Sequence, residues 1–294
     1  MRNRAIRQYL GVGAVLVLVG ISIPACGGGP SATRSTTTTT TTTATSTTPT
    51  TATPRQVTIS LYLLRGDKLG VSHRLISATP AGGTAALRAL LAGPNATENA
   101  ANLHSDIPTG TRLLGLSIAG GVATVDFDST YGSGGGSLSM TARLAQVVYT
   151  LTQFPTVTTV RFEIDGQLVT VFGSEGILIN HPMSRLDATI IGVVPYILLE
   201  TPAVGDNVHS PLHVTGMSNT YEATYNVQLL DATRAVVVNS FGTATAGTGT
   251  WGTFDASFSY VTSTSGTGTL RVFETSAKDG SHVNEVDLAL PVGP

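Results

Sequence analysis

Cysteine is almost absent from this chain: among 294 residues there is one, Cys26. Without a second thiol there is no intramolecular disulfide and no zinc site built on cysteines, so any folded part must be held by its core and hydrogen bonds. Charged side chains are scarce too, at 12% against 41% hydrophobic residues, which leaves Thr, Ser, Asn and Gln to wet the surface. The formal net charge of -2 becomes more negative once an N-terminal segment carrying Arg2, Arg4 and Arg7 is removed, leaving 13 basic residues against 18 acidic ones. Nucleic acid is therefore not an expected partner, because binding it needs Lys and Arg clustered on phosphates. No apolar run is long enough to span a bilayer: Leu10 to Ile23, apolar or small except for Ser22, falls short of the ~20 residues required.

What that run does form is an address. Three arginines precede it and Pro24, Ala25 and Cys26 follow, the pattern of a signal peptide. Ile23-Pro24-Ala25-Cys26 resembles a bacterial lipobox, with proline at the intervening position as its departure. The resemblance implies cleavage before Cys26, over a signal peptide of residues 1–25, and lipidation of Cys26 by thioether, palmitate or similar acyl chains. Two or more chains give stable membrane anchoring, at ~0.8 kcal/mol per buried methylene. The alternative is an ordinary secretory peptide that leaves Cys26 a free thiol. Residues 26–54 are then Gly, Pro, Ser, Ala and above all Thr, with an unbroken run from Thr36 to Thr43. Such a segment cannot bury apolar surface and is expected to be a disordered tether, reaching roughly 30 Å as a coil and ~90 Å when stretched. Composition alone leaves open whether its threonines are glycosylated.

Two folded regions are expected beyond it. Within residues 55–173, Val57, Ile59, Leu61 and Leu63 alternate as a strand that turns back at Gly66-Asp67 through Leu69 to Ile76. Gly82 to Leu91 is expected as a short helix stopped by Gly93-Pro94, and Asn95 to Thr109 as a polar loop. Leu114, Leu116 and Ile118 pair through Gly120-Gly121 with Ala123, Val125 and Phe127. A central helix then carries Met140, Leu144, Val147, Val148 and Leu151 on one stripe. Phe154-Pro155 ends it, and Val160, Phe162 and Ile164 form a hairpin through Asp165-Gly166 with Leu168, Val169 and Val171.

In this region Leu90-Leu91-Ala92-Gly93-Pro94, Ile107-Pro108-Thr109-Gly110-Thr111, Ala123-Thr124-Val125-Asp126-Phe127-Asp128 and Val148-Tyr149-Thr150-Leu151-Thr152-Gln153-Phe154 occur in the order seen in the GerMN domain of sporulation and spore-germination proteins. The resemblance covers Val57 to about Phe172 and implies a small mixed sheet with two helices on one face, similar to ring-building modules. It carries no catalytic residues. Residues 174–188 read as a linker. Residues 189–294 contain seven β-rich runs, Ile190–Leu199, Leu212–Gly216, Tyr221–Leu230, Ala235–Ser240, Thr250–Val261, Gly268–Thr275 and Val283–Pro291, which predict a sandwich. Ser210-Pro211-Leu212-His213-Val214-Thr215-Gly216, Tyr221-Glu222-Ala223 and Val272 to Ser281 resemble the immunoglobulin-like domain of bacterial spore-germination proteins. The fold class expected is thus α+β followed by an all-β sandwich, whose core draws on Trp251, Phe254 and Phe258.

Chemistry-bearing patterns are weak. Asp126 and Asp128 share a strand face and, with Glu163 or Asp165, offer paired carboxylates, but no His or Lys accompanies them and they read as a solvated strand end. His209 and His213 are separated by Pro211 on an extended segment, ~13 Å apart, too far to share a metal. Gly115-Leu116-Ser117-Ile118-Ala119 lacks the second glycine of G-x-S-x-G and the strand-to-helix turn that motif needs. The glycine loop Gly132 to Gly136 misses both G-x-G-x-x-G and a following lysine, and reads as a connector. Tyr131, Tyr149, Tyr221, Tyr225 and Trp251 either stack on sugars or pack internally, and only burial separates the two. The expectation is an extracytoplasmic, lipid-anchored, non-catalytic envelope protein without cofactor or metal, held to the membrane through Cys26 and acting on an envelope or cell-wall partner. A peptidoglycan or polysaccharide binding module is the first alternative and a cell-wall hydrolase the second.

Overall fold

The computed structural model describes residues 55–294; the signal peptide, Cys26 and the Thr-rich tether lie outside them. Strands β1 (Gln56–Arg65) and β2 (Lys68–Ser77) pair antiparallel through the expected two-residue turn, with Gly66 at φ 57°. Helix α1 (Gly82–Leu91) ends before Gly93 at φ 75°, a left-handed stop that glycine adopts at low cost. The expected polar loop contains a further helix, α2 (Ala96–Ala100), closed by a reciprocal capping box between Asn95 and Glu98. Next come β3 (Leu113–Ala119) and β4 (Val122–Phe127), then α3 (Ser137–Leu151), which crosses over to β5 (Thr159–Ile164). Because α3 intervenes, β5 lies parallel to β4.

With β6 (Gln167–Leu168) the sheet runs β3-β4-β5-β6, and α1 and α3 pack side by side on it, as expected of a small mixed sheet with two helices. The return strand of the last hairpin is shorter than the alternation implied. Val169 still donates to the Phe162 carbonyl, but the chain then leaves, and Val171–Phe172 (β7) pairs instead with Ile177–Leu178 (β8). The β1-β2 ribbon covers the other side of α3. Sandwiched between two layers, α3 buries its apolar stripe and also its polar residues Arg143, Gln146 and Thr150.

All seven expected strands of the second lobe are present: β9 (Ile197–Thr201), β10 (Leu212–Ser218), β11 (Thr224–Leu230), β12 (Val236–Thr243), β13 (Gly252–Phe258), β14 (Gly266–Thr275) and β15 (His282–Val292). They form a three-stranded sheet, β13-β10-β9, facing a four-stranded one, β12-β11-β14-β15. Between them lie Leu212, Val214 and Phe254 against Val227, Leu229, Leu270, Val272 and Leu290, and the Tyr225 and Phe254 rings meet at 4.4 Å. Trp251 and Phe258 are only half-buried, so of the three aromatics expected in this core Phe254 alone is fully inside. The β-rich run at Ile190 begins as a 3-10 turn, Ile191–Val193, before the strand starts at Ile197.

The two folded regions share one core. The buried side chains make one continuous cluster from Ile59 to Val292, and the described residues cluster as a single compact unit. The stretch expected as a linker is packed: Ile179 and Met183 are buried, and Met183 exchanges backbone hydrogen bonds with Val160. The physical reason is an unpaired sheet edge. β2 has β1 on one side only, and Val204 of the sandwich lobe fills the other, accepting from His73 N at 2.8 Å and donating to Val71 O at 3.2 Å.

Candidate functional site

The two aspartates weighed as a carboxylate pair have separate partners. Asp126 sits on β4 in register with Glu163 and accepts from Gly166 N at 3.0 Å, so it fastens the hairpin turn. Asp128, just past the strand, is buried rather than solvated. It accepts from Arg112 N and Nε, each at 3.0 Å, and from Thr130 Oγ1 at 3.2 Å. The Arg112 backbone N–H is the largest influence holding its carboxyl below the usual range. His213 Nε2 lies 2.7 Å from Asp255 Oδ1, whereas His209 Nδ1 lies 3.3 Å from the Pro294 carbonyl, so the two histidines have separate partners. Ser117 is exposed along β3.

The glycine loop serves an internal cation. Arg143 donates to the carbonyls of Tyr131, Ser133, Gly134 and Asp106 at 2.7–2.9 Å, drawing the loop closed over α3. At Gly135, φ 85°, an added Cβ would stand 2.6 Å from Arg143 Nη2, so this position needs glycine both for its backbone and for the space. Of the five aromatics raised as sugar platforms, Tyr131, Tyr149 and Tyr225 are buried, Tyr221 is exposed and Trp251 is half-buried.

Where polar groups do converge is the junction of the lobes. Tyr62 on β1 donates its hydroxyl to Glu200 Oε1, which also binds Arg185 Nη1 at 2.5 Å. Arg185 Nη2 reaches the Tyr62 hydroxyl at 2.9 Å and Nε reaches Thr152 Oγ1 at 2.9 Å. Its guanidinium lies over the rings of Tyr62 and Tyr149 at 5.2 and 5.0 Å. Burial first, and the Glu200 charge second, push the Tyr62 phenol well above its ordinary value, so it stays a donor. Beside this cluster His73 Nδ1 meets Asp206 Oδ2 at 2.7 Å.

A second cluster is built on Glu98, which is 0% exposed and binds Arg74, the Ser72 hydroxyl at 2.6 Å and Asn95 N at 2.7 Å. Burial raises its carboxyl, and these donors together outweigh burial and leave it lowered. Sequence reading missed Glu98, Arg143 and Arg185; only Asn95-x-x-Glu98, the capping-box spacing, carried a signal. Among the described residues no group of three or more His, Cys, Asp or Glu is placed to hold a metal, and no helix is long and apolar enough to cross a membrane.

Residues 60–170 match the family described as sporulation and spore germination, and residues 196–281 match that described as immunoglobulin-like domain of bacterial spore germination. Among solved structures, the first GerMN domain of the sporulation protein GerM from Bacillus subtilis is 22% identical, covering 45% of this chain and 99% of that one, with a TM-score of 0.37. The tandem GerMN domains of the same protein are 17% identical, covering 69% of this chain and 61% of that one, with a TM-score of 0.40. No curated protein matches. Residues 60–170 thus carry a sporulation and spore germination domain, and residues 196–281 after it an immunoglobulin-like domain of bacterial spore germination.

Proposed function

We propose that this protein is a non-catalytic cell-envelope lipoprotein, anchored through lipidated Cys26, whose two lobes work as one rigid binding or scaffolding module. The observation that carries this reading is the closure of its polar clusters. Tyr62, Arg185 and Glu200 satisfy one another, Arg74 and Ser72 satisfy Glu98, and Arg143 meets backbone carbonyls. Each donor set is directed at the protein's own atoms and stiffens a junction, whereas a catalytic constellation directs them at a substrate. The relation to spore-germination domains supports an envelope setting, with the Thr-rich tether lifting the lobes away from the bilayer.

Labelled palmitate fed to cells expressing the full chain should enter the wild type and not Cys26→Ala. Incorporation that survives the substitution overturns the anchor. Crosslinking in those cells should retain a defined envelope partner, and turnover of purified wall material by the full chain would overturn the non-catalytic reading.

A further inference from the structure

The outer face of the three-stranded sheet is covered at Met217 by the first lobe, but along its β13 edge it keeps a row of side chains that neither the junction nor the core absorbs. Register sets Ser218 opposite both Ile197 and Gly252, so the adjoining positions Tyr196, Asn219 and Trp251 lie side by side across the three segments. Asn219 N donates to the Tyr196 carbonyl at 2.8 Å, and Asn219 Oδ1 accepts from Gly249 N at 2.8 Å, which fixes the amide between the two aromatics. The Tyr196 and Trp251 rings are 10° from parallel with centroids 6.4 Å apart. At that separation parallel rings are displaced rather than superposed. Tyr196 is 56% exposed.

Alternation along β13 carries Trp251, Thr253 and Asp255 outward while Gly252 and Phe254 turn in. The same edge therefore runs from the aromatics into an open trough of about 450 Å³ lined by Thr215, Thr243, Thr245, Thr253 and Asp255, and also by Glu200, which the junction already engages through Tyr62 and Arg185.

We propose that this face binds a neutral β-linked oligosaccharide. A pyranose whose hydroxyls are equatorial has an apolar C–H face that packs on an aromatic ring, and a polar rim that needs hydroxyl, amide and carboxylate partners. Aromatic rings at one end and threonines with the Asp255 carboxylate at the other supply both in that order. From Trp251 to Asp255 is ~13 Å along the strand, room for more than one sugar ring. The acidic groups in the trough disfavour phosphate-bearing polymers. This inference rests on reading the chain as a binding module and names the ligand class.

Trp251 is the chain's single tryptophan, so its emission reports this face alone. Titrating the full-length protein in detergent with chitotetraose, a neutral β-1,4-linked N-acetylglucosamine oligomer, should give a saturable emission change, and polyphosphate should give none. Tyr196→Ala and Thr253→Val should weaken the sugar response at least tenfold with circular dichroism unchanged. Phe241→Ala, 66% exposed on β12 in the other sheet, should leave it as it was. Absence of a chitotetraose response, an undiminished response in Tyr196→Ala, or a change that follows protein concentration instead of sugar, as a second copy on the face would cause, overturns the site. Retention on purified wall that ignores Tyr196→Ala removes the site but keeps the binding module. A sugar response without wall retention keeps the site and removes the envelope role.

Discussion

Asp231 shows how much one uncharged-looking turn depends on a single carboxylate. Its Oδ1 accepts from Thr233 N and Oγ1 and from Ala235 N, and its Oδ2 accepts from Thr262 Oγ1 and Thr264 Oγ1, so it ties the β11-β12 turn to the segment before β14. The Thr233 hydroxyl leads the donors that lower its carboxyl to about 2. A carboxyl depressed in the folded state takes up its proton at higher pH when unfolded, so its stabilisation is complete above about pH 4 and is lost as pH falls toward 2. Thermal melts of Asp231→Asn should start lower at pH 7 and fall less than wild type between pH 4 and pH 2. Parallel melting curves for the two proteins across that range would contradict the assignment.

At the scale of the element, α3 carries the least expected feature. Residues 143, 146 and 150 recur at helical spacing, with Gln153 just past the helix end, so they form a polar stripe beside the apolar one. In an isolated helix that stripe faces water. Here it meets the free edge of β1: Gln146 Nε2 donates to Tyr62 O, Thr150 Oγ1 accepts from Tyr62 N, and Gln153 exchanges hydrogen bonds with both Ser60 N and Ser60 O. The helix thus serves as a side-chain substitute for a missing third strand, satisfying groups that would otherwise be buried and unpaired. Gln146→Leu removes that partner at similar volume and should cost about 1–3 kcal/mol in urea unfolding, with faster amide exchange along β1. Gln167→Leu, on exposed β6, should change stability by less than about 0.5 kcal/mol.

For the whole molecule, the junction makes two recognisable domains behave as one. Continuous burial, the Val204 pairing on β2 and the Tyr62–Arg185–Glu200 cluster all have to break together if one lobe unfolds first. Calorimetry of the full chain should therefore give one transition with matching calorimetric and van't Hoff enthalpies. Two resolved peaks would show that the lobes open separately. Rigid coupling also sets the outer face of the β13-β10-β9 sheet at a fixed orientation to the GerMN lobe, since Met217 on that face touches the Tyr149 hydroxyl at 3.9 Å.

The sequence by itself determined the local order of this protein: where strands alternate, where Gly66, Gly93 and Gly166 turn the chain, the stripe on α3, and all seven strands of the sandwich. Those features depend on neighbours within a few positions, so periodicity and turn chemistry expose them. The burial of Glu98, Arg143 and Gln146, the packing of residues 174–188 and the pairing of Tyr196 with Trp251 across Asn219 were decided only by tertiary structure. A polar side chain looks the same in sequence whether it meets water or a distant backbone edge. Its fate is fixed by which layer the fold lays over it, and that layer can come from 138 positions away, as with Tyr62 and Glu200.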